Sequence, residues 1–226
     1  MSLDAAQLQQ ALIILIFMIG SLSLHEWGHA WTADRLGDDT PRAYGRVTLN
    51  PIAHIDPIGT ILIPMLGILG FFGGFGVIGW AKPVPINPSN YARRNRDQAL
   101  VTIAGPFMNV LIGIATVFVL AFCARFTPGA TLLIEYLYNW LLPLNVLLIV
   151  FNLLPVPPLD GSKFLMYWFG MSEEAYYSFA RWGWILLLVL INIGPFREFF
   201  GMLRDYAQIP FNFLLWVLLG MPGQPA

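Results

Sequence analysis

The sequence predicts an all-α integral membrane protein with about five full transmembrane helices. It also predicts a glycine-rich re-entrant or hairpin segment and short edge strands near a reactive site. Three observations carry this. Of the 226 residues, 57% are hydrophobic and 11% charged, and the mean hydropathy is +0.66; a soluble domain carries about a quarter charged residues. Long apolar runs recur at roughly the ~20 residues a helix needs to cross the hydrocarbon. Two of the chain's three histidines, in His25-Glu26-Trp27-Gly28-His29, stand at the end of the first of these runs.

In chain order the apolar segments cover about 8–32, 58–80, 98–124, 131–154, 181–194 and 208–221. The first has no Lys or Arg before it, so it lacks the basic start of a cleaved signal peptide and is expected to remain as a membrane helix. The second holds Gly59, Gly67, Gly70, Gly73, Gly74, Gly76, Gly79 and Pro64, a composition that weakens a straight helix. The last two runs are short and rely on their flanks for length. The chain reads as one polytopic domain over 1–226, with a catalytic core at about 8–170 and flanking helices at about 179–221. The lone Cys123 rules out an internal disulfide framework. A net charge of -1 argues against a nucleic-acid partner.

On a helix, residues four apart share a face. His25 and His29 therefore aim two imidazoles at one point, and two neutral imidazoles can hold zinc. Glu26 stands close enough to take a proton from a metal-activated water. This is the H-E-x-x-H pattern of zinc hydrolases. Ionisable groups in an apolar span are costly and functional by default. A catalytic site of this kind needs a third protein ligand and one open position.

Charge bias constrains the topology. If 58–80 crosses the membrane, the Lys and Arg residues divide six against six. If it dips in and returns, the count is nine against three: Arg35, Arg42, Arg46, Lys82, Arg93, Arg94, Arg96, Lys163 and Arg181 against Arg125, Arg197 and Arg204. The second arrangement obeys the positive-inside rule. It puts the N-terminus outside, and the C-terminus and the mouth of the site on the cytoplasmic face of the cell (inner) membrane. It also lets the end of the first span meet the end of 131–154, where Asn152-Leu-Leu-Pro155-Val-Pro157-Pro158-Leu159-Asp160-Gly161 follows. Asp160 has two readings. It is either the N-cap of the short apolar helix that follows or an oxygen ligand completing a His-His-Asp zinc site.

Three separated motifs in order give the chain its resemblance. They are His25-Glu-Trp-Gly-His29, Ala104-Gly-Pro-Phe-Met-Asn109, and Asn152 through Asp160-Gly161. With Asn50-Pro-Ile-Ala-His54-Ile-Asp56-Pro-Ile-Gly59-Thr60 and Gly79-Trp-Ala-Lys-Pro83-Val-Pro85-Ile-Asn87, the chain resembles the site-2 protease family of intramembrane zinc metalloproteases. The likeness covers roughly residues 20–170 and is to a compact bacterial or archaeal subgroup without a soluble regulatory domain. It implies one zinc per chain bound by His25, His29 and Asp160, and a water activated by Glu26. It also implies a transmembrane protein substrate cut within or near the bilayer.

Other residues have weaker claims. His54, in a Pro-bounded loop near Asp56, is a fourth ligand, a substrate contact, a lid over the zinc or a plain interfacial histidine, and is left out of the metal site. Asn109 and Asn152 sit inside apolar runs and must find partners there; each is either helix–helix glue or a donor to substrate or oxyanion. Lys82-Pro83-Val84-Pro85-Ile86-Asn87 cannot be a central strand, because prolines belong on edges, and an edge can pair with an extended peptide. The basic loops suit anionic membrane lipid. The rival readings are a non-catalytic zinc-binding scaffold or chaperone for client helices, and a metal transporter. Glu26 argues against the first, and the lack of ionisable residues along 181–194 and 208–221 against the second.

Overall fold

A computed structural model describes residues 5–68, 79–127 and 129–220. The stretch 69–78, with Gly70, Gly73, Gly74 and Gly76 of the glycine-rich run, lies outside the described residues. The chain falls into two compact units, Met1–Ala92 and Arg93–Ala226.

In the first unit α1 spans Ala5–Arg35, 31 residues. Its buried side chains include Ala11, Leu15, Met18, Leu22, His25, His29 and Ala33, at steps of three and four that define one face. Leu8, Leu12 and Ile16, to one side of this stripe, are exposed, as expected of a helix whose outer side meets lipid. The histidines therefore continue a packed apolar stripe and are turned away from the lipid side.

After α1 the backbone becomes short and irregular. Helix α2 is one turn, Thr40–Ala43. A 3₁₀ turn at Pro51–Ala53 is capped by Asn50, which accepts from the Ile52 amide at 3.1 Å. The widened turn Pro57–Leu62 is capped by Asp56, which accepts from Ile58 and Gly59 amides at 3.0 and 2.7 Å. It leads into α3, Ile63–Ile68. When the chain is next described it is beside its own starting point. The Trp80 amide donates to the Gly59 carbonyl at 3.0 Å, Thr60 Oγ1 donates to the Trp80 carbonyl at 2.8 Å, and the Lys82 amide donates to the His54 carbonyl at 2.9 Å. The described ends of the apolar run 58–80 are thus bonded to one another. The indole of Trp80 covers Gly59 so closely that a Cβ there would stand 2.2 Å from the ring.

Residues 81–87 run without helix before a 3₁₀ turn at Pro88–Asn90. The short edge strand expected here is an extended strap; among the described residues no strand ladder forms.

The second unit begins with α4, Arg94–Phe126, 33 residues. Helices α5 (Thr131–Tyr136) and α6 (Leu142–Asn152) join through a widened turn at Leu137–Leu141 into one apolar span of 22 residues. A 3₁₀ turn at Asp160–Lys163 leads to α7, Phe164–Tyr167. Then come α8, Glu173–Asn192, and α9, Gly194–Leu219. Val117 of α4, Leu142 and Val146 of α6, and Phe211 of α9 form the buried core of this unit. Asn109 of α4 donates to Asn145 of α6 at 3.0 Å, both fully buried.

Among the described residues three helices are long and apolar enough to cross a membrane: Ala5–Arg35, Arg94–Phe126 and Thr131–Asn152. The expected helices over 181–194 and 208–221 exist, but each is apolar over only part of its length. Glu173, Glu174 and Arg181 fall in the first half of α8, and Arg197, Glu198, Arg204 and Asp205 in the first half of α9. The two meet at an 88° bend at Ile193-Gly194, and together they make a fourth candidate span.

The loop region of the first unit hangs on one buried carboxylate. Asp38, with no exposed surface, accepts from Thr40 Oγ1 at 2.5 Å, the Asn87 amide at 2.8 Å and Asn90 Nδ2 at 2.8 Å. Burial pushes its pKa up, but the bonds from Thr40, Asn87 and Asn90 outweigh this and hold it below its ordinary 3.8. A depressed folded pKa stabilises the fold above the ordinary value, and the effect fades as pH falls through the folded one. We expect Asp38→Ala to cost about 2–4 kcal/mol at neutral pH, read as a loss of thermal stability in detergent. The gap to wild type should narrow only below the ordinary 3.8.

Candidate metal centre

The site is built on the last turns of α1. The apolar stripe places His25 and His29 one turn apart, and both are buried, with 2% and 3% of their surface exposed. Their Nε2 atoms lie 3.1 Å apart, and the rings meet edge to face with centroids at 4.8 Å. Two nitrogens bound tetrahedrally to one zinc at 2.0–2.1 Å stand about 3.3 Å from each other. The pair is therefore spaced as two ligands of a single ion, and imidazoles with a carboxylate suit zinc.

Glu26 is half-buried and turned to the proline-rich strap. Its Oε2 accepts from the Val84 amide at 3.1 Å. The strap is anchored on both sides of that bond. Arg46, 4% exposed, donates to the carbonyls of Ala53, Lys82 and Pro83, the last at 3.0 Å. Asp38 holds the Asn87 amide. Sequence reasoning missed Arg46 and Asp38, since single charges in a polar loop carry no local sign of burial.

His54 is buried, with its Nε2 3.0 Å from the Thr48 carbonyl. Its Nδ1 has no hydrogen-bond partner among the described residues. The ring thus braces the 48–54 loop, beneath the carbonyl that receives the Lys82 amide.

In the second unit Asp160 opens its 3₁₀ turn and is buried. It does not cap that turn: Leu159 holds the cap position and makes no side-chain cap bond. Asp160 Oδ1 accepts from Lys163 Nζ at 3.0 Å. The cap position of α7, the short helix that follows, is Lys163, so Asp160 holds neither cap position. Asn109 pairs with Asn145, the helix–helix role. Asn152 Nδ2 donates to the Leu148 carbonyl of its own helix at 3.0 Å.

An apolar helix presenting paired buried imidazoles with a glutamate beside them defines a membrane-embedded metallohydrolase. Comparison with known proteins agrees. The family described as Peptidase family M50 matches residues 124–190. The chain is 36% identical to a Bacillus subtilis protein named "Putative zinc metalloprotease YwhC", over 78% of each chain. It is 30% identical to a Mycolicibacterium smegmatis protein named "Putative zinc metalloprotease Rip2", over 84% of this chain and 70% of that one. The Mycobacterium tuberculosis protein of the same name is 35% identical over 80% of this chain and 68% of its own. No solved structure matches. The chain belongs to peptidase family M50, the site-2 protease family, and is a metalloprotease.

Gly161, next to Asp160, tests how tightly that carboxylate is placed. A Cβ there would stand 2.3 Å from the Leu153 carbonyl oxygen and 2.7 Å from that of Leu154, both backbone atoms. Gly161→Ala should cost about 1–3 kcal/mol, seen as a lower melting temperature than wild type in detergent.

Proposed function

We propose that the chain is an intramembrane zinc metalloprotease that hydrolyses peptide bonds of transmembrane protein substrates within or near the bilayer. The observation that carries this is the buried His25–His29 pair at ligand spacing with Glu26 beside it. One zinc per chain is held by His25, His29 and Asp160. The sequence motif Asn152 to Asp160-Gly161 supports Asp160 as the third ligand, as does its failure to act as a cap. Zinc bound there lowers the pKa of the attacking water and polarises the scissile carbonyl.

The remaining steps belong to side chains of this protein. Glu26 takes a proton from the attacking water as the water oxygen bonds to the carbonyl carbon. It returns that proton to the amine nitrogen as the C–N bond breaks. One of its oxygens is engaged by Val84, which leaves the other for the proton. Asn152 has a second amide hydrogen beyond the one given to Leu148, and serves as oxyanion or substrate donor. Asn109, engaged with Asn145, and His54, bracing its loop, serve the same site from further away.

The chain acts as one catalytic domain in the cell membrane, with its N-terminus outside and its C-terminus and site mouth cytoplasmic. The nine-to-three charge count supports this, as do the Gly59–Trp80 and Thr60–Trp80 bonds that join the two ends of the run. Basic loops on that face meet anionic lipid. A substrate helix is shielded by its own hydrogen bonds, so it unwinds locally and its extended segment docks along Lys82–Asn87.

Zinc content per chain, with cleavage of a single-span membrane peptide, tests the reading. Wild type and Glu26→Ala should each hold about one zinc, Asp160→Ala should lose most of it, and both variants should be inactive. An Asp160→Ala protein that keeps its zinc sinks the proposed ligand set. Val84→Pro should weaken cleavage while zinc is retained; undiminished cleavage would rule out docking on the strap.

A further inference from the structure

Between Lys82 and Ile86 the strap has one backbone donor. Pro83 and Pro85 have no N–H, so the Val84 amide is alone, and it is given to Glu26 Oε2 at 3.1 Å. A hydrogen bond from a mobile loop would orient nothing. This strap is held on either side of Val84. On the N-terminal side the Lys82 amide is bound to His54 O at 2.9 Å, and the carbonyls of Lys82 and Pro83 converge on the Arg46 guanidinium. On the C-terminal side Asn87 is bound to Asp38. The Arg46 fork also reaches the Ala53 carbonyl, so a single planar group ties the His54 loop to the strap.

Arg46 is 4% exposed, an expensive place for a cation. Burial pushes its pKa down, and the charge of Glu26 pushes it back up.

We propose that Arg46 is a positioning residue for the reaction: it fixes the strap so that the Val84 amide holds the Glu26 carboxylate in its proton-accepting orientation. Arg46 reaches neither substrate nor metal and works through Val84. The proposal rests on the reading of Glu26 as general base.

The test has two arms. The first needs no substrate. Deuterium exchange at the Val84 amide should be slow in wild type, and faster in Glu26→Ala, which removes the acceptor, and in Arg46→Met, which releases the strap. Unchanged exchange in Arg46→Met overturns the proposal. The second arm uses a single-span membrane peptide with a Gly-Pro-weakened segment and zinc-loaded protein in detergent. Arg46→Met should keep its zinc and lower kcat roughly 10- to 100-fold with KM nearly constant, and Arg46→Lys should restore part of the loss. Val84→Pro, which removes the donor itself, should lower kcat as well and stands in if Arg46→Met fails to fold. Unchanged kcat in Val84→Pro or a rise in KM alone would overturn the proposal, as would loss of zinc together with activity in Arg46→Met. Full activity in Glu26→Gln would instead remove the general-base reading underneath it.

Discussion

Two imidazoles held 3.1 Å apart inside an apolar helix set the terms for everything around them. Neutral rings at that distance form a single N–H···N bond, and only with one ring in the Nε2–H tautomer and the other with a bare Nε2. A divalent ion makes the spacing favourable. The helix pays little to present it, since His25 and His29 fall on the stripe already buried through Met18 and Leu22. Ligand geometry and packing periodicity are thus the same periodicity. A shift of the motif by one or two positions would turn the histidines toward the face that carries Leu12 and Ile16.

The division of labour in the first unit follows from the solvent. In hydrocarbon every backbone polar group must be satisfied internally, and a regular helix does that without help. It also leaves no amide free to act on a side chain. The groups that reach Glu26 therefore come from non-helical chain, and that chain has to be furnished with partners for its own backbone. Arg46 supplies donors to three carbonyls, Asp38 supplies acceptors to two loops, and Trp80 bonds with Gly59 and Thr60. The irregular segment is permitted because these buried charges satisfy it.

What could be read in the sequence was what has a local period. The H-E-x-x-H spacing, the long apolar runs and the prolines ending α6 each leave a mark within a few residues. The nine-to-three charge count is a reading of composition alone, whereas the bonds that join Trp80 to Gly59 and Thr60 have no signature in the sequence. Partnerships between distant residues left no mark. Asn109 could be flagged as needing a partner, but Asn145, 36 residues on, could not be named. Arg46 was counted as one of nine cytoplasmic charges, which is how a solvated arginine looks in sequence; its burial arises only when three carbonyls from two loops converge on it. The half-polar character of α8 and α9 was visible in principle, yet the apolar halves dominated the pattern.

The prolines of the strap make a final point about selection of hydrogen bonds. Alternate amides of an extended segment face opposite edges, so the Val84 amide that meets Glu26 has beside it those of Lys82, already held by His54, and Ile86. Proline at 83 and 85 takes away the amides between them. The same substitution removes donors from the other edge, where residues 83 and 85 would point, so pairing there has only acceptors to use. An incoming peptide strand that paired with the Val84 amide would have to displace Glu26 from it. Orientation of the base and recognition of an extended peptide therefore draw on one N–H. The rigidity that Arg46 and Asp38 impose on either side decides how sharply the two are coupled.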